Sequence, residues 1–213
     1  MEILRDKAIM LRVRNPKQIT TAIPNSKELP MNKVVVKWGL DEVLSLRSLN
    51  INAPSPITKR YSWPGQYTPF DHQKDTASFM TLNKKSFCFN EQGTGKTASA
   101  IWAADYLMTQ GKVKRVLVVC PLSIMDSAWR NDLFSFAMHR TVDVAHGSKQ
   151  KRKKIINSGA EFVIINYDGV EVVRDEIAAG GFDLFIVDEA THYKNAQTKR
   201  WKTLNKLIKE DDW

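Results

Sequence analysis

The sequence predicts an α/β protein, a parallel sheet covered by helices, preceded by a small β-rich N-terminal region. Three observations predict it. From about residue 70 onward, apolar runs of four or five residues alternate with segments of helical periodicity. Most of those runs are continuously apolar, as strands buried on both faces require. A proline-rich stretch over 52–69, with Pro54, Pro56, Pro64 and Pro69, separates this region from a front part of short runs and turns. The boundary is placed there, giving a basic β-rich accessory region over 1–60 and the α/β region over 61–213.

In the front part, Ala8–Val13 reads as a strand broken by Asn15-Pro16, because proline lacks a donor and restrains its predecessor. Gln18–Ile23 is a second β-branched run, stopped by Pro24-Asn25, and Val34–Trp38 a third. Leu40–Leu49 has helical spacing. In the second part, Phe70–Leu82 reads as a helix, Ser86–Phe89 as a short strand, and Lys96–Thr109 as a helix closed by Gly111. Val116–Cys120 is a buried strand ended by Pro121, and Ser123–Phe136 is helical. Val142–Ala145 and Phe162–Asn166 are strands flanking a helix over Lys149–Asn157. Leu184–Val187 is the last strand and Thr198–Lys209 the last helix.

Composition narrows the function classes. The 213 residues are 43% hydrophobic and 26% charged, ordinary for a globular chain that needs no disulfide or metal staple. Cys88 and Cys120 lie in apolar runs and do not make a secreted disulfide framework. No apolar stretch approaches the roughly 20 residues of a membrane span, and the N-terminus lacks a signal-peptide core. The expected setting is a reducing cytoplasm, bacterial or that of a phage host, with no membrane partner. Net charge is +9, and residues 1–60 carry +6 of it. A basic balance suits polyanions such as nucleic acid, although many basic proteins bind none.

The most specific feature is Asn90-Glu91-Gln92-Gly93-Thr94-Gly95-Lys96-Thr97, between an expected strand and an expected helix. Gly93 and Gly95 allow a sharp turn that brings backbone N–H groups to an anion. The helix N-terminus adds unpaired donors and the positive end of its dipole. Lys96 can reach β and γ phosphates, and the Thr97 hydroxyl can ligate magnesium. The first glycine of the usual pattern would fall at Asn90, so the match is relaxed. The plain alternative is a glycine turn. A second element lies 92 residues beyond Lys96, where an apolar strand delivers Asp188-Glu189 at its C-terminal end. Parallel sheets place ligands at that rim. Asp188 can hold magnesium and Glu189 can orient or deprotonate an attacking water. Alone, this pair reads equally as favourable charge at a helix start.

Together the motifs resemble the first RecA-like lobe of superfamily 2 helicases, most nearly the Swi/Snf type of DNA translocase. Glu91–Thr97 resembles that family's motif I, with Gln92 where Met is usual. Phe70-Asp71-His72-Gln73 resembles its Q motif, which implies that Gln73 reads adenine. Cys120-Pro121-Leu122-Ser123 with Trp129 and Asp132 resembles motif Ia, and His146-Gly147-Ser148 with Arg152 a short glycine-and-arginine segment. Ile164-Ile165-Asn166-Tyr167 resembles motif Ib. Asp188-Glu189-Ala190-Thr191-His192-Tyr193-Lys194-Asn195 resembles motif II, with the usual fourth-position His displaced to His192.

The resemblance covers residues 66–213 and implies a DNA-dependent ATPase using ATP and Mg2+. It implies catalytic roles for Lys96, Asp188 and Glu189, and nucleotide contacts by Gln73, Glu91, Gly93, Thr94, Gly95, Lys96 and Thr97. Magnesium would fall to Thr97 and Asp188. Pro121, Ser123, Tyr167 and Lys194 would meet double-stranded DNA without reading its sequence. Motif III and a second lobe with an arginine finger do not follow motif II here, so the chain is expected to need a second lobe, in cis or in trans, and to turn over little alone.

Other readings stand beside these. Tyr67 either stacks on the base or caps the connector. The basic run Lys149–Lys154 is either a solvated helix face or a DNA contact. His146 and His192 lack a second ligand at zinc spacing, His72 reads as structural, and the tryptophans read mostly as core aromatics. The rival functions are a P-loop NTPase that does not act on nucleic acid, and a non-catalytic nucleic-acid-binding or regulatory fragment that keeps the fold.

Overall fold

The computed structural model describes residues 1–189, 197–208 and 212–213. The chain divides into two compact units, Met1–Ser62 and Trp63–Trp213.

The first unit is built on a four-stranded antiparallel sheet of β1 (Glu2–Leu4), β2 (Ala8–Arg12), β3 (Lys27–Leu29) and β4 (Lys33–Lys37), in the order β1-β2-β4-β3. Ile9, Leu11, Val34 and Val36 alternate onto one buried face. The run over 18–23, expected as a strand, lies in α1 (Pro16–Ala22) and its C-cap instead. Pro16 sits in the first turn, where its fixed φ and missing N–H suit a helix start. Ile19 is buried, and this packing outweighs the weak helix preference of Ile19, Thr20 and Thr21. α2 (Leu40–Ser48) buries Leu40, Val43 and Leu46, and α3 (Ile57–Arg60) is a single turn. Trp38 is fully buried, with its indole N–H on the Pro54 carbonyl at 2.9 Å.

In the second unit, α4 (Asp71–Leu82) and α5 (Lys96–Thr109) precede an all-parallel sheet. That sheet contains β5 (Val116–Cys120), β6 (Val142–Ala145), β7 (Phe162–Asn166) and β8 (Leu184–Val187), in the order β6-β7-β5-β8. β5 and β7 are buried throughout, as their unbroken apolar sequences require. Helices α6 (Asn131–Phe136), α7 (Lys149–Ile156), α8 (Tyr167–Val172), α9 (Arg174–Ala179) and α10 (Lys199–Leu207) complete it. Asp183 anchors the sheet's entry end by accepting the N–H groups of Lys114 and Arg115 at 2.9–3.0 Å.

Two expectations change here. Ser123–Phe136 is not one regular helix. It runs as a 3-10 turn over Leu122–Ile124, a π-turn over Met125–Arg130, and then α6. The expected strand Ser86–Phe89 does not join the sheet. The outer edge of β8 is taken by Trp213, which accepts from Phe185 N–H at 3.0 Å and donates to the Asp183 carbonyl at 2.9 Å. Residues 86–90 lie along α4, where Asn90 Nδ2 donates to Thr76 Oγ1 at 2.8 Å. With Asp75, Thr76 and Phe79, residues 87–90 line a groove of about 280 Å3. Phe87 and Phe89 stack on each other and remain exposed.

Candidate nucleotide site

The phosphate loop is shaped by its two glycines. Gly93 and Gly95 have φ of 78° and 75°, the left-handed region that glycine enters without a side-chain penalty. Around Gly93 there is open space. At Gly95 a Cβ would lie 2.0 Å from Gln73 Nε2, so this position is fixed by conformation and by close approach together. Gln73 donates to the Thr94 carbonyl at 3.3 Å, and His72 Nε2 lies 3.0 Å from the same oxygen. Gln73 Oε1 also accepts from Phe70 N–H at 3.0 Å, closing the first turn of α4. The Q-motif residues and the phosphate loop, about 20 positions apart, therefore form one surface. Tyr67 is 61% exposed and lies 5.9 Å from the Phe136 ring.

Lys96 opens α5 and its ammonium donates to the carbonyls of Asn90 (2.9 Å) and Glu91 (2.8 Å). Thr94 Oγ1 donates to the Glu91 carbonyl as well, at 2.8 Å. Asn90 thus serves through its carbonyl, while its side chain holds α4. Helical bonding onto the cap begins with Ser99 N–H on the Gly95 carbonyl. The N–H groups of Lys96, Thr97 and Ala98 precede that bond and have no carbonyl one turn back within the helix. The Thr97 hydroxyl makes no described hydrogen bond. Free amides, an ammonium and a free hydroxyl at a helix N-terminus suit a polyphosphate with a hard cation.

The acidic strand ends at the rim where β5 and β7 end. Cys120 lies opposite Asn166, and Val119 opposite Val187, so Pro121, Tyr167 and Asp188 each follow the last residue of neighbouring strands. Asp188 is half-buried. Its Oδ2 accepts from Trp129 Nε1 at 2.8 Å and its Oδ1 from Glu189 N–H at 2.9 Å. Its carbonyl accepts from the Tyr167 hydroxyl at 2.5 Å, and its N–H donates to the Val119 carbonyl. Glu189 is exposed at φ 49°, a left-handed conformation uncommon for a residue with a side chain. Burial, and then the negative charge of Asp188, push the Cys120 thiol up to about 12. Burial also holds Asp132 above the usual carboxylate range.

The structure joins Gln73, Thr94 and Gly95, and separately joins Trp129, Tyr167 and Asp188. No described hydrogen bond or ion pair links Lys96 to Asp188. Trp129, read from the sequence as a core aromatic, is both buried and bonded to the acid. Its place in the motif Ia resemblance was the available signal, since its periodicity says only that it faces inward. Tyr167 is 7% exposed with its hydroxyl on the Asp188 carbonyl, so its side chain braces the acidic turn. Pro121 is half-buried and Ser123 exposed. Lys194 and the rest of 190–196 lie outside the described residues.

The sequence matches the SNF2-related domain over residues 72–213, two thirds of the chain. The chain belongs to that family. Among relatives of the SNF2-related unit is an uncharacterized ATP-dependent helicase, YqhH, of Bacillus subtilis. It is 26% identical over 148 residues, covering 68% of this chain and 25% of that protein. The ATP-dependent helicase fft2 of Schizosaccharomyces pombe is 30% identical over 209 residues, covering 83% of this chain and 16% of its own length. In structure, the Sulfolobus solfataricus SWI2/SNF2 ATPase core solved with dsDNA matches with a TM-score of 0.59 at 26% identity, over 70% of this chain and 31% of that one. The second unit is therefore a Swi/Snf-type, RecA-like helicase lobe, preceded by the antiparallel first unit. The chain spans between a sixth and a third of the length of these relatives. Among the described residues, no helix is long and apolar enough to cross a membrane.

Proposed function

We propose that this SNF2-related unit is the ATP-binding lobe of a DNA-dependent ATPase that moves on double-stranded DNA, acting with a second RecA-like lobe in cis or in trans. The observation that carries this reading is the contact of Gln73 with Thr94 and Gly95, which seats the adenine-reading candidate on the phosphate loop. The amides of Gly93–Thr97 and the Lys96 ammonium hold the phosphates, and Lys96 exchanges its two loop carbonyls for phosphate oxygens. The Glu91 carbonyl helps to shape the loop by holding Thr94. Thr97 Oγ1 and the Asp188 carboxylate are the oxygens that would hold magnesium. Bound Mg2+ would supply neutralisation of the charge developing on the β and γ oxygens. Glu189 accepts the proton of the attacking water. Pro121 and Ser123, with Lys194, are the candidate contacts to the DNA backbone, made without reading bases.

Turnover needs an arginine finger, which contributes on the order of 10³–10⁵ in rate. The second lobe supplies it, and DNA stimulates turnover by aligning the two lobes. The 213-residue chain by itself is therefore expected to bind nucleotide and hydrolyse it slowly. A bacterial or phage-infected cytoplasm is the setting proposed for it, in keeping with the Bacillus subtilis relative.

The test is a thermal shift with MgATP. A ligand that binds only the folded state at a hundred times its Kd stabilises by about 2.7 kcal/mol. We expect a shift of that order in the unaltered chain and its loss in Lys96→Ala. An equal shift in that variant would remove the site. Steady-state ATPase assays with and without DNA, after addition of a second lobe, separate this reading from a nucleotide-binding protein that ignores nucleic acid.

A further inference from the structure

The antiparallel sheet of the first unit has two unlike faces. Residues directly opposite one another in antiparallel strands share a face. Ile9 lies opposite Val36, and Leu11 opposite Val34, on the buried side. The other side carries the rows Glu2–Met10–Val35–Lys27, Leu4–Ala8–Lys37 and Arg12–Lys33–Leu29. That face holds the cations Arg12, Lys27, Lys33 and Lys37 against a single acid, Glu2. The unit's other acids lie elsewhere. Glu28 is opposite Val34, Asp6 is in the β1–β2 turn, and Asp41 and Glu42 open α2.

The arrangement is unfavourable to the unit alone. Arg12 and Lys33 are directly opposite in register, and like charges in that relation destabilise a sheet. Lys37 reaches Glu42 at 3.9 Å, but no described ion pair or side-chain hydrogen bond engages Arg12, Lys27 or Lys33. Arg12 and Lys27 are exposed, while Met10 and Val35 form a half-buried floor between the charged rows. Neighbouring strands are about 4.8 Å apart, so these cations form a compact positive field. A chain of phosphodiesters supplies the charge this face lacks.

We propose that the open face of this sheet binds a nucleic-acid phosphodiester backbone through Arg12, Lys27 and Lys33, without reading base sequence. The choice of nucleic acid rests on the proposed function, and the face itself does not depend on the nucleotide site. The test uses the full chain and the double variant Arg12→Gln/Lys33→Gln. An off-face control, Lys17→Gln/Lys59→Gln, makes the same change in net charge at two exposed positions.

Binding to a labelled DNA duplex is followed by fluorescence anisotropy over a salt series, and in parallel to a labelled RNA duplex. Each phosphate contact contributes about 0.9 to the slope of log affinity against log salt. The face variant is therefore expected to lower the slope by about two and weaken binding by about tenfold, while the control changes affinity by less than about threefold. The face variant's thermal midpoint should hold or rise, because facing like charges have been removed. That outcome is not one a damaged fold produces. A loss confined to the RNA duplex would support the face and name RNA as its backbone. Equal losses in the two variants, or an unchanged salt slope, overturn the proposal. The MgATP shift should persist in the face variant. Its absence from the unaltered chain would sink the nucleotide reading and leave this one standing.

Discussion

The two halves of the nucleotide site are held in different ways. The phosphate loop is fixed by partners close in sequence. Lys96 bonds to residues five and six positions back, Thr94 to one three back, and the farthest tie, from His72, spans 22 positions. The acidic turn is fixed mainly from a distance, by Trp129 across 59 positions and by the Val119 carbonyl of the neighbouring strand, with Tyr167 across 21 as its nearer tie. The loop is thus a locally encoded device, whereas Asp188 is aimed by the tertiary structure around it. Damage to the first should remain local, and damage to the second should spread into the sheet.

The largest expected effect is on the local half. Gly95→Ala would place a left-handed φ of 75° on a residue with a Cβ and drive Gln73 off the loop. Strain of this kind costs on the order of 1–3 kcal/mol, or about 2–4 °C per kcal/mol for a chain of this size, and the MgATP shift should vanish. Gly111→Ala is the control. It has φ of 68° and nothing within 4 Å, so it should lose stability alone and keep the nucleotide shift. Equal nucleotide binding in the two variants would mean that Gln73 is not seated on the loop.

Trp129→Phe tests the distant half. The ring volume is largely kept and one hydrogen bond to a carboxylate is lost, worth about 1.5–3 kcal/mol. The expected outcome is a higher Mg2+ requirement for the nucleotide shift, with metal-free nucleotide binding unchanged. A fall in stability with no change in Mg2+ requirement would make the indole a packing group only. The smallest effect is chemical. Cys120, fully buried and pushed up to about 12, stays a protonated thiol at pH 8 and should resist alkylation until the chain unfolds. Cys88, partly exposed on the phosphate-loop side, should label in the native state. Rapid labelling of Cys120 would mean that the rim beside Asp188 opens.

The same contrast explains what could be read in advance. β5, β7 and β8 are legible because strands of a covered parallel sheet are continuously apolar, β6 through the apolar residues around Asp143, and α5 because its glycine-led start is local chemistry. Residues 18–23 have a strand's composition because of their β-branched side chains, while Pro16 and the burial of Ile19 decide for a helix. Ser86–Phe89 has a strand's composition, but whether it pairs depends on which backbone meets the edge of β8, and a local run does not contain that information. Trp129 illustrates the same limit. Helical spacing identifies a buried face, but the carboxylate awaiting the indole lies three strands later in the chain.

The central claim is that these two differently held halves grip one nucleotide and its metal. Its most direct test is the Mg2+ dependence of the ATP-induced thermal shift in Lys96→Ala and Asp188→Asn side by side. The account predicts that Lys96→Ala loses the shift at every Mg2+ concentration, while Asp188→Asn keeps a nucleotide shift that no longer grows with Mg2+. A full Mg2+-dependent increment in Asp188→Asn would contradict it, because the acid would then be playing no part at the site that Lys96 serves.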